Sequence, residues 1–185
     1  ENVLGKVLEV SQASFWQSNE NAPEVLTKAV LEFAQLKSGE HVLDLYGGVG
    51  LFTAAIIEAV GPAGHVDLIE GSKVATADAA RNFANNPNVT IATGDVAKLL
   101  PRITAADVVV LDPPRDGAGK DAIAHIARLA PRSVVYVACD PAALARDTAY
   151  LADHSYSLSE IRAFDLFPMT HHIECVALYT RAEVS

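Results

Sequence analysis

Apolar, β-branched runs that alternate with alanine-rich amphipathic segments constrain the fold of this chain more than any other feature. Strands that alternate with helices in this way indicate βαβ units, in which helices cover both faces of a parallel sheet. The runs predicted as strands are HVLDLY (41–46), HVDLIE (65–70), VTIA (89–92), DVVVLD (107–112) and SVVYVA (133–138). The pattern predicts an α/β fold with a doubly wound, mostly parallel sheet.

The remaining elements follow from the same periodicities. Helices are predicted over 22–36, 49–60, 72–85, 120–130 and 141–153, where apolar residues recur at helical spacing. Two further strands, 156–167 and 174–181, have no helix between them, so they are expected to close the sheet as an antiparallel pair. We expect one domain over residues 1–185, in which residues 1–36 form an N-terminal strand and helix ahead of the core.

Composition narrows the class of protein. No apolar stretch is long enough to span a membrane, and two cysteines outside any CxxC pair cannot form a disulfide framework, so a cytoplasmic location is expected. The chain starts at Glu1 and in what looks like a strand, which predicts a fragment of a longer protein. Its net charge of −9 argues against binding nucleic acid by charge alone. Basic surface for such a partner is expected elsewhere in the longer protein. The oligomeric state is not predicted.

Ligands of open α/β sheets bind beyond the carboxyl ends of the strands, and the first predicted strand is followed by a glycine turn. Gly48 and Gly50 form a G-x-G turn that opens a helix, but Thr53 replaces the third glycine of the dinucleotide fingerprint. Asp44 at the strand end would repel a pyrophosphate. The same carboxylate suits a ligand with an ammonium and a sulfonium group, such as S-adenosylmethionine (SAM).

Acidic residues follow the next two strands. Glu70 ends the second strand, where a carboxylate can accept hydrogen bonds from ribose hydroxyls. Asp95 follows the third strand and can accept from an adenine amino group, although an ordinary helix N-cap explains it equally well. Together with the glycine turn, these residues favour SAM over a dinucleotide.

The fourth strand ends in LDPPRDGAG. Pro113 and the proline after it enforce a rigid exit from the strand and hold Asp112 at the edge of the sheet, near the donor methyl group. The D-P-P sequence resembles the motif by which several nucleic-acid methyltransferases hold a flipped base. A rigid turn with a solvated aspartate is the alternative interpretation.

A single thiol, Cys139, ends the fifth strand. Asp140 can cap the following helix and Pro141 suits its first turn, so the thiol lies beside a helix N-terminus, whose partial charge stabilises a thiolate. Cysteines are more often buried packing residues. Its position at a strand end, close to Asp112, favours a chemical role.

A thiol beside SAM suits a pyrimidine acceptor. The C5 carbon of a pyrimidine is a poor nucleophile until a thiolate adds at C6, and a base must afterwards remove the C5 proton. Glu174, at the start of the last strand, is the carboxylate predicted for that step. His171 and His172 rank below it as bases, and Cys175 is expected to point to the opposite face as a packing residue.

At these residues the chain resembles the RNA 5-methyluridine (uracil-C5) methyltransferase family. SFWQSN is similar to its S-F-x-Q-x-N, LDLYGGVGLF to its D-L-[FY]-x-G-x-G-x-F, ACDPAALARD to its S-C-N-P-A-T-L-A-R-D, and HHIE to its H-x-E. The resemblance implies a Rossmann-like class I catalytic domain with a seven-stranded sheet. It assigns the nucleophile to Cys139 and the proton acceptor to Glu174. The cofactor-binding residues it implies are Gln17, Asp44, Tyr46, Gly48, Gly50, Glu70, Asp95 and Asp112, and the substrate-binding residues are Phe15, Asp112 and Pro113.

The resemblance also implies partners and departures. The substrate would be tRNA or rRNA, recognised with the help of an N-terminal RNA-binding domain that this chain lacks. No metal site is expected, because the cysteines that hold an iron–sulfur cluster in some members have no counterpart here. Ala138, Asp140 and Leu51 replace residues usual in the family, so the hydrogen bonds around the thiol and one cofactor contact are expected to differ.

Three alternatives remain open from the residues alone. An exocyclic-amine methyltransferase would use Asp112 and the prolines without a covalent intermediate, and Cys139 would only pack. An NAD-dependent oxidoreductase is disfavoured by Asp44 and the absent third glycine. A non-catalytic RNA-binding module is disfavoured by the acidic charge.

Overall fold

The computed structural model describes residues 1–167, 169–170 and 172–181, and a seven-stranded sheet forms its centre. The strands are β1 (Asn2–Val3), β2 (Lys6–Val7), β3 (His41–Leu45), β4 (His65–Glu70), β5 (Val89–Thr93), β6 (Val108–Leu111), β7 (Ser133–Ala138), β8 (Tyr156–Phe164) and β9 (Glu174–Arg181). The central sheet has the order β5-β4-β3-β6-β7-β9-β8. β3 to β7 are parallel, whereas β9 runs antiparallel to both β7 and β8. The predicted mostly parallel sheet with an antiparallel C-terminal pair is confirmed.

Six helices connect these strands within the described residues. They are α1 (Ala22–Ala34), α2 (Leu51–Val60), α3 (Lys73–Asn82), α4 (Val96–Leu99), α5 (Gly119–Leu129) and α6 (Pro141–Asp153). α6 begins where its sequence predicts, because Asp140 accepts a hydrogen bond from the Ala143 amide at 2.8 Å and Pro141 fills the first position. The short α4 was not predicted. Its four residues are too few to show a helical period.

Side chains alternate between the two faces of the sheet, and each face has its own core. Val42, Val110, Val137 and Val176 pack with α1 and α2 on one face. Leu43, Leu111, Tyr136 and Cys175 belong to the core that includes α5 and α6 on the other. Burial of each large apolar side chain contributes about 1.5–3 kcal/mol. A shift of one residue in register would move the side chains of a strand from one core to the other. The prediction that Cys175 is a packing residue agrees with this placement.

β3 and β6 are neighbours at the centre of the sheet, and the chain winds outward from them in opposite directions. The connections after these two strands therefore diverge and leave a crevice at their carboxyl ends, which is where ligands bind in such folds. The glycine turn after β3 and the D-P-P turn after β6 both lie at this crevice.

The N-terminal prediction needs one correction. β1 and β2 pair with each other as a separate antiparallel ribbon, instead of forming one strand ahead of α1. Leu4 and Gly5 make the turn with positive φ angles of 51° and 79°, which reverse the chain after two residues. Among the helices described, none has the length and apolarity that crossing a bilayer requires.

Candidate active site

A cavity of about 1090 Å³ opens at the carboxyl ends of the parallel strands. This volume suits a cofactor together with part of a second ligand. Most of the residues singled out from the sequence line it: Phe15, Gln17, Tyr46, Gly48, Glu70, Asp95, Asp112, Pro113, Cys139 and Glu174. Two predicted residues, Asp44 and Gly50, do not line the cavity, and their positions are described below.

The turn after β3 is held against the end of β4. The amides of Tyr46 and Gly47 donate to the carbonyl of Ile69 at 2.8 and 3.2 Å. Glu70 accepts from the Gly48 amide at 3.1 Å through one carboxylate oxygen and from the Ser72 amide at 2.6 Å through the other. The Glu70 carboxylate is therefore fixed in the cavity wall between two loops.

Asp44 lies beneath the glycine turn and is completely buried. Its Oδ2 accepts hydrogen bonds from the amide and the hydroxyl of Thr53 at 2.9 and 2.6 Å. Its Oδ1 is buried and has no hydrogen-bond partner among the described residues. The pKa of Asp44 is raised to about 6 because burial raises it more than the two Thr53 hydrogen bonds lower it. Near neutral pH the carboxylate is thus mostly ionised and only half satisfied, next to the cavity wall.

The Thr53 contact explains why the third glycine of the dinucleotide fingerprint is missing here. A glycine at that position would leave Asp44 without its hydroxyl donor. Thr53 is fully buried in α2 and ties the helix to the end of β3, so this position serves the turn itself.

Gly50 supports the turn from below. Its φ of 96° is left-handed, and a Cβ placed on it would lie 2.3 Å from Cε2 of Phe83. Gly48, in contrast, has a φ of 56° and faces open space, since an added Cβ would meet no atom within 4 Å. Gly50 is needed for packing, whereas Gly48 leaves room in the cavity.

Asp95 is a helix N-cap, one of the two interpretations of its sequence position, and it also belongs to the cavity lining. Its side chain caps α4 by accepting from the Lys98 amide at 3.2 Å. With Glu70, it gives this wall of the cavity two carboxylates.

Cys139 and Glu174 come together at the other end of the cavity. β7 and β9 are antiparallel, and their last ladder pair joins Ala138 to Cys175. Cys139 follows β7 directly and Glu174 begins β9, so the same register sets these two residues opposite each other. By strand alternation they share the sheet face of Val137 and Val176, away from Cys175.

The carboxylates around the thiol alter its acidity and their own. Burial raises the pKa of Cys139, and the nearby carboxylates of Glu174 and Asp112 raise it further. Burial also raises the pKa of Glu174, against a smaller opposing effect of Arg115. The pKa of Asp112 rises to about 8, first through burial and then through Glu174. In the protein without ligands, burial and the neighbouring carboxylates therefore shift the pKa of the thiol and of Asp112 upward, and burial shifts that of Glu174 upward.

Arg115 directly follows the D-P-P sequence, and the sequence alone assigns it no role. Among the described residues that line the cavity, it is the single Arg or Lys side chain. Nη2 of Arg115 lies 3.4 Å from Nε2 of His172. The positive charge of Arg115 lowers the pKa of both Cys139 and Glu174. Its place directly after the two prolines of D-P-P is the signal that could have identified it. His172, ranked low as a base, also lines the cavity, whereas His171 lies outside the described residues.

A buried aspartate on α6 holds the loop that carries Asp112 and Arg115. Asp147 is fully buried and accepts hydrogen bonds from the Ala118 amide at 2.7 Å, the Gly119 amide at 3.2 Å and the Tyr136 hydroxyl at 2.8 Å. Arg146 bonds both Asp147 and the carbonyl of residue 116. The helix that follows the thiol thereby also positions the D-P-P loop.

A second buried aspartate holds the segment that carries Phe15 and Gln17. Asp78 on α3 accepts from the amide and hydroxyl of Ser11 at 2.9 and 2.6 Å, and from the Ser14 hydroxyl at 2.6 Å. These bonds lower its pKa to about 2. Phe15 is 75% exposed although it lines the cavity, so its ring stands at the rim.

Two protein families match different parts of the chain. A family model described as tRNA (uracil-5-)-methyltransferase matches residues 100–182, which include Asp112, Cys139 and Glu174. A model described as protein-L-isoaspartate(D-aspartate) O-methyltransferase matches residues 8–111. The second match ends directly before Asp112 and includes the glycine turn, Glu70 and Asp95.

Related proteins agree with the first match. The chain is 47% identical over 180 residues to an uncharacterized RNA methyltransferase of Streptomyces avermitilis, covering 96% of this chain and 42% of that protein. A similar protein of Streptomyces coelicolor is 47% identical over 171 residues, which is 37% of its length. The chain therefore spans well under half of the curated relatives it matches.

A solved structure of a tRNA methyltransferase has a similar fold. The crystal structure of the Pyrococcus abyssi tRNA (uracil-54, C5)-methyltransferase in complex with S-adenosyl-L-homocysteine matches with a TM-score of 0.78 and 31% identity, over 91% of this chain and 40% of that one. The fold is that of SAM-dependent class I methyltransferases. The family match over residues 100–182, the RNA methyltransferase relatives and this solved structure agree, and the chain is similar to the tRNA (uracil-5-)-methyltransferase family.

Proposed function

We propose that this chain is the catalytic domain of an RNA methyltransferase that transfers a methyl group from SAM to C5 of a uracil in tRNA or rRNA. The observation that carries the proposal is the pairing of Cys139 with Glu174 at the cavity that also contains the glycine turn. A thiol and a carboxylate on one side of one cavity are the two groups that C5 methylation of a pyrimidine needs.

The residues present fit SAM. The half-satisfied buried carboxylate of Asp44 is complementary to a cationic ligand and unsuited to a pyrophosphate. Gly48 leaves open space at the turn, and Glu70 and Asp95 offer carboxylate oxygens for ribose hydroxyls and an amino group. We propose that these residues, with Gln17 and Tyr46, hold SAM. When bound, SAM supplies an electrophilic methyl group.

On the substrate side, the target uridine must leave its stack to enter the cavity. We expect Phe15 to contact the flipped base at the rim, while Asp112 and Pro113 position it against the thiol. The pKa of Asp112 is raised to about 8, so near pH 7 it can donate a hydrogen bond to a carbonyl oxygen of the ring.

The chemical steps assigned to this chain involve two side chains. The Cys139 thiolate forms a bond to C6, and the electron pair of the C5–C6 double bond moves toward C5 and the adjacent carbonyl, which makes C5 nucleophilic. After C5 is methylated, the Glu174 carboxylate takes the proton from C5. The electrons of that C–H bond restore the double bond as the C6–S bond breaks, which frees the thiolate.

RNA that contains 5-fluorouridine tests the proposal, because fluorine at C5 cannot leave as a proton and traps the covalent complex. The protein is incubated with SAM and fluorouridine-substituted tRNA or rRNA transcripts and analysed under denaturing conditions. We expect a protein–RNA adduct with the wild type and with Cys175→Ala, the matched thiol control, and none with Cys139→Ala. SAM affinity should change little in Cys139→Ala. Methylation of RNA by Cys139→Ala would contradict the mechanism and favour the exocyclic-amine alternative.

A further inference from the structure

Two histidines and an aspartate form a cluster at the end of the sheet opposite the cavity. His41 is the first residue of β3 and His65 the first residue of β4, and the two are partners in the parallel ladder. Asp67 lies two residues further along β4, so its side chain is on the same face as that of His65. Nothing in the proposed methyl transfer uses these three residues.

The ligand atoms of this cluster converge. Nε2 of His41 lies 2.8 Å from Oδ2 of Asp67, and Nε2 of His65 lies 3.1 Å from Oδ1. The three ligand atoms all lie within 4.8 Å of one another. Tetrahedral zinc has bonds of about 2.0–2.2 Å to imidazole nitrogen and carboxylate oxygen. Its ligand atoms therefore stand roughly 3.3–3.6 Å apart, so the two nitrogen–oxygen contacts need to lengthen by about 0.2–0.8 Å.

The surroundings also favour a cation. The side chains are 29% exposed for His41, 38% for His65 and 17% for Asp67, so an ion can enter while the carboxylate remains partly shielded. The Asp107 carboxylate accepts from the backbone amide of His41 at 2.8 Å and adds a second negative charge nearby.

We propose that His41, His65 and Asp67 form a binding site for a divalent transition-metal ion of the zinc type. Two imidazole nitrogens and one carboxylate oxygen are a ligand set typical of zinc, and water would complete a tetrahedron. The site links the amino-terminal ends of β3 and β4 and lies away from the cavity. Its role would be to stabilise the sheet, since an ion that binds only the folded state raises stability.

Zinc titration of the metal-free protein tests this site. We expect one equivalent of Zn²⁺ to bind by calorimetry, and the thermal midpoint to rise by roughly 5–10 °C when free Zn²⁺ is about 100 times Kd. His41→Gln, His65→Gln and Asp67→Asn should each weaken binding at least about tenfold, because even changes to groups behind the ligands commonly cost that much. Co²⁺ should give the absorption of a tetrahedral complex without a sulfur charge-transfer band.

Two controls make the result specific. His154→Gln removes an exposed histidine outside the cluster, and Cys139→Ser removes the thiol that could bind zinc at the cavity; both proteins should bind Zn²⁺ as the wild type does. SAM binding by each variant checks that it is folded. The site is refuted if wild-type protein shows no saturable zinc binding, if binding survives His41→Gln unchanged, or if it is lost in Cys139→Ser.

Discussion

Cys139 and Glu174 lie opposite each other across the junction of β7 and β9, one step beyond the ladder pair of Ala138 and Cys175. β9 is inserted between β7 and β8, so its first residue reaches the carboxyl end of β7 although 34 residues of chain separate the two side chains. The arrangement sets a thiol and a carboxylate on one wall of the cavity. It also makes the pKa of each depend on charged neighbours that single substitutions can remove.

Glu174→Gln should separate methyl transfer from product release. Glutamine cannot take the C5 proton, so we expect turnover to fall by about 10²–10⁴-fold and a methylated, covalent protein–RNA complex to accumulate. Mass spectrometry of the denatured reaction measures this complex. Glu160→Gln, at an exposed position on β8, should retain wild-type turnover. Wild-type turnover by Glu174→Gln would show that another group removes the proton.

The alkylation rate of Cys139 by iodoacetamide should report its local charges. Because burial, Glu174 and Asp112 raise the pKa of the thiol, the rate in the protein without ligands should have a midpoint above the ordinary value of 9.0. Glu174→Gln removes a negative neighbour and should lower the midpoint, whereas Arg115→Gln removes a positive one and should raise it. The measurement is made in Cys175→Ala so that one thiol reacts. Shifts of the opposite signs would contradict the described geometry.

Asp112→Asn should stabilise the protein at alkaline pH. The pKa of Asp112 is raised from 3.8 to about 8 on folding. Between these values the folded protein keeps a proton that the unfolded chain releases, so the contribution of Asp112 to stability falls as pH rises from about 4 to about 8. Asparagine has no charge to bury. We therefore expect little difference in the free energy of unfolding near pH 4 and a gain of about 1–3 kcal/mol near pH 9, measured by urea denaturation. Asp116→Asn, exposed in the same loop, should show no such trend.

Asp147→Asn should loosen the D-P-P loop. The one NH2 group of asparagine would face either the amides of Ala118 and Gly119 or the guanidinium of Arg146, so one of these two sets of donors loses its acceptor. We expect a loss of about 2–4 kcal/mol in the free energy of unfolding and faster hydrogen exchange at the two loop amides. Asp153→Asn, exposed at the end of α6, is the control. Unchanged exchange at both amides would argue against this role.

Gly50→Ala and Gly48→Ala should have different consequences. The first introduces a methyl group 2.3 Å from Phe83 in a left-handed conformation, and we expect it to cost about 2–4 kcal/mol of stability. The methyl group added by Gly48→Ala has no atom within 4 Å, so this substitution should cost only about 1–2 kcal/mol of stability. The same methyl group enters the cavity and should weaken SAM binding. Urea denaturation and SAM titration distinguish the two effects. Equal SAM affinity for Gly48→Ala and the wild type would place the cofactor elsewhere.

The sequence alone determined the order and type of the main elements and the positions where chemistry follows a strand. Apolar runs of strand length and helical periods are local signals. They specified β3 to β9 and the longer helices to within a few residues, but they did not reveal the short helix α4. The residues after the strands were predicted to meet because parallel strands end at one edge of a sheet. That geometric rule accounts for the place of Gly48, Glu70, Asp95, Asp112 and Cys139 in the cavity wall, whereas Tyr46 is assigned through the family resemblance.

Only the tertiary structure decided which of these side chains face the cavity and what holds them there. Asp44 turns beneath the loop to Thr53, Gly50 packs on Phe83, and β1 pairs with β2 instead of forming a single strand. Asp78 and Asp147 fix distant loops through hydrogen bonds to residues far along the chain. Periodicity carries no information on strand register or on contacts between remote segments, because these depend on how the whole chain packs.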